Sequence, residues 1–472
     1  MVASSAYQIR AKGGCGRARP LAYHRGVGLL RALLRWLGEA LVRLYYPNRV
    51  VEGVERIPAG KPIVFVLNHP NGLLDPVLLR IAMQRPARFL AKSTLFGNPL
   101  GRLAMNAFGS IPIYRAHESG ARAGDASRND ESFAKCRAEL AAGGSLALFP
   151  EGVSHSDPQL RPLKTGAARI ALSAEAEHDG KLGVTLVPAG LHYEQKATFR
   201  SSVLLVVGEP VEIAPLLADY RRDERATVTA LTERIDARLD EVVLQAETRE
   251  IVEGIARVAR WTAAPGDPAA DANDPGARHR RARELAAAYA RMRARNPARV
   301  EAIVAEARHY RKTLWRLGVR DPWALELTSP RVGATLAAVA RLAVASPFAL
   351  VGTLMGWAPY RFAGWVAGKI TRDQDVLGTA KLFAGATFLF LAWLAEAIVV
   401  GVLAGPIWAV PTFTLGVVSG YVALRFDELW REAAEAWRHV ALRAFRFHTA
   451  QRLVERRREL ADTVARALEE AS

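Results

Sequence analysis

Apolar and polar positions along the chain follow two periods, and the change from one to the other predicts its elements. Ile63-Val64-Phe65-Val66-Leu67 is a short unbroken apolar run with β-branched residues, the pattern of a buried strand. A polar, turn-forming stretch from Asn68 to Gly72 ends it. Asp75-Pro76 then opens the helical run Val77 to Met83, since a carboxylate caps free N–H groups and proline suits a first helical turn. The same punctuation recurs. It predicts a strand over 87–91, a helix over 98–108 with Pro99 in its first turn, a strand over 110–114, a helix over 131–142 and a strand over 145–149. A helix over 165–174 and strands over 184–187 and 203–207 follow. Such alternation across residues 48–215 implies an α/β domain, a mostly parallel sheet flanked by helices.

Outside that domain the pattern is helical or irregular. Residues 1–24 are rich in Gly, Ala and Arg without periodicity; they predict disorder and lack the apolar core and cleavage site of a secretory signal. Gly26 to Tyr46 carries Leu29, Leu30, Leu33, Leu34, Leu37, Leu41 and Leu44 at helical spacing, with Arg31, Arg35, Arg43, Trp36, Tyr45 and Tyr46 among them. Residues 1–47 thus read as a tail and an amphipathic helix, which either lies in a membrane interface or packs on its own domain. Residues 216–330 read as a helical region: one long helix over 227–258, a linker rich in Pro, Gly, Ala and Asp over 262–278, and an Arg-rich helical stretch over 279–317. The last is either an anionic-lipid contact or a solvated helix pair.

Residues 331–425 have membrane character. Residues 382–404 and 406–424 are long enough to span and are joined near Gly405-Pro406, which predicts a hairpin and thus C-terminal transmembrane helices. Arg372 and Lys381 precede the hairpin, and Arg425, Arg431 and Arg438 follow it, so the positive-inside rule puts both ends in the cytoplasm. With the α/β domain cytoplasmic as well, 334–357 is expected to re-enter at Pro347 or lie in the interface. Residues 426–472 read as a basic helical tail.

Composition sharpens this picture. The 472 residues carry 64 Lys and Arg against 47 Asp and Glu, a net charge of +17, which suits anionic partners. Half the residues are hydrophobic, and the apolar spans favour lipid over nucleic acid as that partner. Cys15 and Cys136 are the only cysteines, too few for a disulfide framework or a cysteine-based zinc site, so a reducing compartment is expected. No cofactor or metal is predicted.

Four stretches carry candidate chemistry. In Asn68-His69-Pro70-Asn71-Gly72 and Asp75, a histidine at a strand's end faces a carboxylate at the next helix's start; the plain alternative is a loop histidine and a helix cap. In Gly109 to Arg115 a strand ends in a guanidinium able to grip phosphate, or simply solvated. In Phe149-Pro150-Glu151-Gly152 a carboxylate stands in a tight turn, able to accept from a hydroxyl, or part of an ordinary surface turn. Val187-Pro188-Ala189-Gly190 ends a strand with small side chains that suit the wall of an apolar site. Ser154-His155 does not make a serine hydrolase: neighbours in sequence rarely face one another, and no Gly-x-Ser-x-Gly elbow occurs.

This ordered quartet, across roughly residues 50–215, resembles the four motif blocks of the PlsC-type glycerolipid acyltransferase family. The family joins its His and Asp through four residues; here there are five, Pro70 to Leu74. The variant is similar to that of bacterial members and of relatives of fungal glycerol-3-phosphate and dihydroxyacetone-phosphate acyltransferases. The resemblance implies His69 as general base with Asp75 orienting it. It implies Arg115 on the acceptor's phosphate and Glu151 on a glycerol hydroxyl with Gly152 leaving room for approach. It also places Asn71, Gly109, Pro150 and Pro188 around the substrate. The implied reaction is transfer of a fatty acyl group from acyl-CoA or acyl carrier protein to glycerol 3-phosphate or a lysophospholipid such as lysophosphatidate, by an integral protein of the cytoplasmic membrane in contact with its lipids. Two rivals remain: an acyltransferase with another lipid acceptor, and a membrane scaffold with a degenerate domain, for which the five-residue spacing is the only support.

Overall fold

Unbroken apolar runs make strands buried on both faces, and the first of the chain's two units is built on them. The computed structural model describes residues 28–83, 85–114, 125–263, 267–270, 274–319 and 332–471. Residues 1–245 with 371–382 form one unit and residues 246–370 with 383–472 the other.

The first unit begins with helix α1 (Leu29–Tyr45) and strand β1 (Arg49–Glu52), followed by β2 (Ile63–Leu67), α2 (Leu74–Met83), β3 (Arg88–Lys92), α3 (Pro99–Ala107) and β4 (Ile111–Ile113). It continues with α4 (Asp125–Ala141), β5 (Ser145–Leu148), α5 (Gly166–Glu177), β6 (Thr185–Tyr193), β7 (Val203–Val207), β8 (Val211–Glu212), α6 (Leu217–Arg222) and α7 (Glu224–Asp240). The strands lie in the order β1-β7-β6-β2-β5-β3-β4, with β8 on β6. β2 pairs in parallel with both β5 and β6, and only β7 and β8 run antiparallel to β6. Parallel neighbours need a crossover, and the helices supply it. The sheet is therefore mostly parallel with helices on both faces, as the alternation predicts.

Strand β2 shows how one apolar run serves two cores. Ile63, Phe65 and Leu67 face Val42 and Tyr45 of α1, Tyr46 just beyond it, and Leu74, Leu78 and Leu79 of α2. Val64 and Val66 face the other way, onto Cys136 and Leu140 of α4, Ile170 and Leu172 of α5, and Leu231 and Ile235 of α7. All five strand side chains are fully buried. Such burial stabilises by roughly 1.5–3 kcal/mol per large side chain. Only the C-terminal end of α1 joins this core; Leu29, Leu30, Leu33, Trp36 and Leu37 stay exposed.

Strand β6 does not end at Val187. It runs on through Pro188 and Gly190 to Tyr193. Pro188 falls between the residues paired with β8 (Thr185, Leu186) and those paired with β7 (Ala189 onward), so its missing N–H interrupts neither ladder. Gly190 is required by crowding: a Cβ there would stand 2.5 Å from the Val242 carbonyl oxygen.

The second unit is helical among its described residues. It contains α8 (Arg249–Trp261), α9 (Pro275–Arg295), α10 (Pro297–Leu317) and α11 (Val332–Ile370). It continues with all but the first turns of α12 (Gln374–Ala404), then α13 (Ala409–Phe445) and α14 (Phe447–Ala471). One expected helix is divided, and the helical stretch after it is a pair. The run over 227–258 breaks between α7 and α8, and Thr248 restarts it by accepting from the Ile251 N–H. The run over 279–317 breaks at Asn296-Pro297, where the Asn296 side chain accepts from the Arg299 N–H.

Of the two expectations for 334–357, a turn at Pro347 is not met: α11 is one helix of 39 residues through Pro347 and Pro359. By length and composition, Val339–Ile370, Gln374–Ala404 and Pro406–Leu442 are each able to cross a membrane. Small residues let them pack closely. A Cβ on Gly352 of α11 would stand 2.0 Å from the Ser419 carbonyl of α13, and Gly416 and Gly420 of α13 lie against the Trp393 ring of α12.

Candidate active site

Sheet register brings the first and third motif stretches side by side. Val66 of β2 is paired with Leu148 of β5, so His69 and Glu151 each stand three residues beyond matched positions, past the carboxyl ends of parallel strands. Asn68 extends the pairing to β6: its side-chain N–H donates to the Leu191 carbonyl at 3.1 Å, and its oxygen accepts from the Leu191 N–H at 2.7 Å. The His155 N–H donates to the His69 carbonyl at 3.1 Å and ties the two loops together.

His69 and Asp75 meet across their five intervening residues. The imidazole Nδ1 lies 2.8 Å from Asp75 Oδ2. The loop closes because Gly72 adopts a left-handed φ of 41° and the Leu74 N–H donates to the Asn71 carbonyl. The Asp75 carboxylate, 0% exposed, also accepts from the Asn71 N–H at 2.8 Å and from the Tyr193 hydroxyl. These donors replace the water that burial removes. Asp75 is thus not a simple helix cap; its oxygens point back to the loop and to β6. Burial raises the pKa values of the Tyr193 and Tyr46 hydroxyls, which remain donors.

The His69 ring lies flat on Phe149, with centroids 3.9 Å apart and planes 15° from parallel. Its side chain is 17% exposed. With Nδ1 committed to Asp75, Nε2 is left without a protein partner among the described residues. An imidazole held by a carboxylate on one nitrogen and open on the other is suited to take a proton from a bound hydroxyl.

Glu151 differs from expectation. Its carboxylate is fully buried and accepts from the His69 N–H at 3.2 Å, the Arg161 N–H at 2.9 Å and His155 Nε2. It braces the loops, its oxygens taken up by these three donors. Gly152 makes the turn, with a φ of 78° and its N–H on the Phe149 carbonyl. Asn71 is likewise internal: fully buried, its amide donates to the Tyr46 hydroxyl at 2.7 Å. Pro150 and Pro188 are buried, their carbonyls accepting from the Lys164 and Gly208 N–H groups, so neither lines an open surface. Gly109 ends α3 with a φ of 72° and accepts from Arg88 Nε; it precedes β4 at the sheet's edge, beyond β5 and β3 from His69. Arg115 lies outside the described residues.

Several site residues escape the sequence reading. Tyr193 and Tyr46 hold Asp75 and Asn71, and His155 holds Glu151. Lys196 Nζ donates to the Pro70 carbonyl at 3.0 Å and to Ser156 Oγ at 2.5 Å. The Glu151–His155 spacing of four was visible, but in a loop that spacing predicts no contact. Among the described residues no three His, Cys, Asp or Glu side chains converge as a metal site would require.

A family model described as Acyltransferase matches residues 48–192. Glycerol-3-phosphate O-acyltransferase 2 of Saccharomyces cerevisiae is 39% identical over 108 residues, covering 23% of this chain and 14% of its own. Glycerol-3-phosphate O-acyltransferase 1 of the same yeast is 35% identical over 125 residues, covering 25% and 16%. A 1-acyl-sn-glycerol-3-phosphate acyltransferase of Chlamydomonas reinhardtii is 30% identical over 147 residues, covering 31% and 39%. The chain thus spans well under half the length of these relatives. The crystal structure of the 1-acyl-sn-glycerophosphate (LPA) acyltransferase PlsC from Thermotoga maritima is 21% identical, with a TM-score of 0.31 over 44% of this chain and 79% of that one.

Proposed function

We propose, from the premise that residues 48–192 are an acyltransferase-family domain, that the protein is a membrane O-acyltransferase. It moves a fatty acyl group from acyl-CoA or acyl carrier protein to a hydroxyl of glycerol 3-phosphate or lysophosphatidate. The observation that carries this reading is the His69–Asp75 pair at 2.8 Å with Nε2 open. It also weighs against the scaffold alternative, whose one support was the five-residue spacing.

The chemistry asks little of the protein. The acceptor oxygen attacks the thioester carbonyl while His69 Nε2 takes its proton. The tetrahedral adduct then collapses, the C–S bond breaks, and the thiolate leaves to be protonated. An imidazole is suited to this because its unperturbed pKa is about 6.5. Asp75 accepts from Nδ1–H, fixes the tautomer and favours the imidazolium as it forms. The Phe149 face holds the ring in plane. In this reading Arg115 grips the acceptor's phosphate, while Glu151 shapes the loop and does not touch the acceptor. The names of the yeast and algal relatives support the acceptor class. The long apolar helices support a membrane setting. We place the sheet domain on the cytoplasmic side of the cytoplasmic membrane because Arg372 and Lys381 flank α12's start.

The test is acyl transfer by the purified full chain in detergent, with labelled acyl-CoA and then acyl-loaded carrier protein. Glycerol 3-phosphate, dihydroxyacetone phosphate and lysophosphatidate are offered in parallel. Product on glycerol 3-phosphate or lysophosphatidate is expected. Product on none of the three from either donor overturns the reading.

A further inference from the structure

The first turns of α12 belong to the sheet unit and not to the helical one. Their inner face is set by helical spacing: Asp375, Gly378, Thr379 and Leu382 stand at i, i+3, i+4 and i+7. That face meets three loops at once, each carrying part of the site.

The first loop is the turn between His69 and Asp75. The Asp375 carbonyl oxygen lies 3.1 Å from where a Cβ on Gly72 would stand. A Cβ on Gly378 would stand 3.0 Å from the Asn71 side-chain oxygen and 2.9 Å from the Lys196 carbonyl, which is backbone and has no easy retreat. The second loop follows Glu151: Ser154 Oγ donates to Asp375 Oδ2 at 2.6 Å. The third follows Tyr193: Lys381 Nζ donates to the Ala197 carbonyl at 2.9 Å. Leu382 closes the contact by burying itself in the core that holds Leu74 and Leu78 of α2. Glycine is a poor helix former, and at 378 it stands where any side chain would drive the helix off the loop.

We infer that the start of α12 is a positioning element of the His69–Asp75 site, with Gly378 and Asp375 as its working residues. The helix acts through Asn71 and Gly72, the two residues whose backbone closes the His69–Asp75 loop. Only its effect on turnover rests on the acyl-transfer reading; its effect on the loop does not.

The experiment compares Gly378→Ala with Gly385→Ala in the full chain. Gly385 lies on the same helix, and a Cβ there meets nothing within 4 Å. Two quantities are read. One is the rate of His69 carbethoxylation by diethyl pyrocarbonate, followed by peptide mass spectrometry. The other is kcat and KM for acyl transfer. Gly378→Ala is expected to raise the His69 modification rate roughly threefold as the loop loosens. It is expected to lower kcat about ten- to hundredfold with KM unchanged. Gly385→Ala is expected to match the parent in both.

Asp375→Ala and Asp375→Asn form a second pair that does not crowd the helix. Asn keeps an acceptor for Ser154 and is expected to restore the parental modification rate that Ala loses. Parental His69 reactivity in both Gly378→Ala and Asp375→Ala overturns the inference, as does an equal change in Gly385→Ala. A parent that transfers no acyl group refutes the proposed reaction, while the modification rates still decide the positioning role.

Discussion

The buried carboxylates of the sheet unit and the exposed ion pairs of the helical unit hold charge in different ways. In the sheet unit, three carboxylates are buried and accept from backbone N–H groups of the loops they fix. Glu175 accepts from the Gly183 and Val184 N–H groups, Glu151 from the His69 and Arg161 N–H groups, and Asp75 from the Asn71 N–H. In the helical unit, ion pairs such as Arg249–Glu253 and Arg431–Asp427 join side chains four residues apart on exposed faces. Buried carboxylates fix loops and are costly to lose; exposed pairs contribute little. The site is assembled where the first kind of bond converges.

Substitutions separate the two kinds. The largest effect on stability belongs to Glu151→Ala, which strips two backbone N–H groups and His155 of their acceptor inside the fold. Thermal unfolding in detergent should report a loss of about 3–5 kcal/mol. A parental melting temperature would mean that Glu151 is not the brace described here.

Cys136 gives an intermediate effect, expressed in reactivity. Burial pushes its thiol up to about 12 from 9.0. Cys136, followed by peptide mass spectrometry apart from Cys15, should resist iodoacetamide at pH 8 in the folded chain and react once denaturant is added. The sign for stability follows: as pH rises from 9.0 toward about 12, only the unfolded chain ionises this thiol, so its contribution falls through that window. Alkylation of Cys136 in the folded protein at the rate of a free thiol would contradict the packing between β5, α4 and α5.

The smallest effect belongs to Arg249→Ala. Both partners of the Arg249–Glu253 pair are about half exposed. Its removal should change stability by less than about 0.5 kcal/mol. A drop comparable to that of Glu151→Ala would erase the contrast between the units.

How much of this is legible in the sequence follows the same division. Strand β2, the Asp-Pro start of α2 and strand β7 are written locally, in an apolar run, a capping pair and a β-branched stretch. Strand β1 is not, because two of its four residues are charged and its partner β7 lies some 150 positions away. The break between α7 and α8 carries neither Gly nor Pro, and Val242, Val243 and Leu244 continue the apolar pattern across it. The break at Asn296-Pro297 is written locally, as a capping residue before a first-turn proline. His69 and Asp75 were legible as a pair. Their supports were not, because Tyr46, Tyr193 and the start of α12 reach them only through the fold, and nothing local marks a tyrosine as the partner of a distant carboxylate. The same distance explains Glu151: a carboxylate in a turn looks available until the N–H groups that fill it are in place.

The central claim is that His69 and Asp75 act as one unit in acyl transfer. The most direct measurement is kcat for His69→Ala, Asp75→Asn and the double variant, on the acceptor that the parent prefers. The account predicts that each single substitution lowers kcat by about 10³–10⁴ and that the double variant falls no further than His69→Ala. Full activity in His69→Ala, or losses that multiply in the double variant, would contradict it.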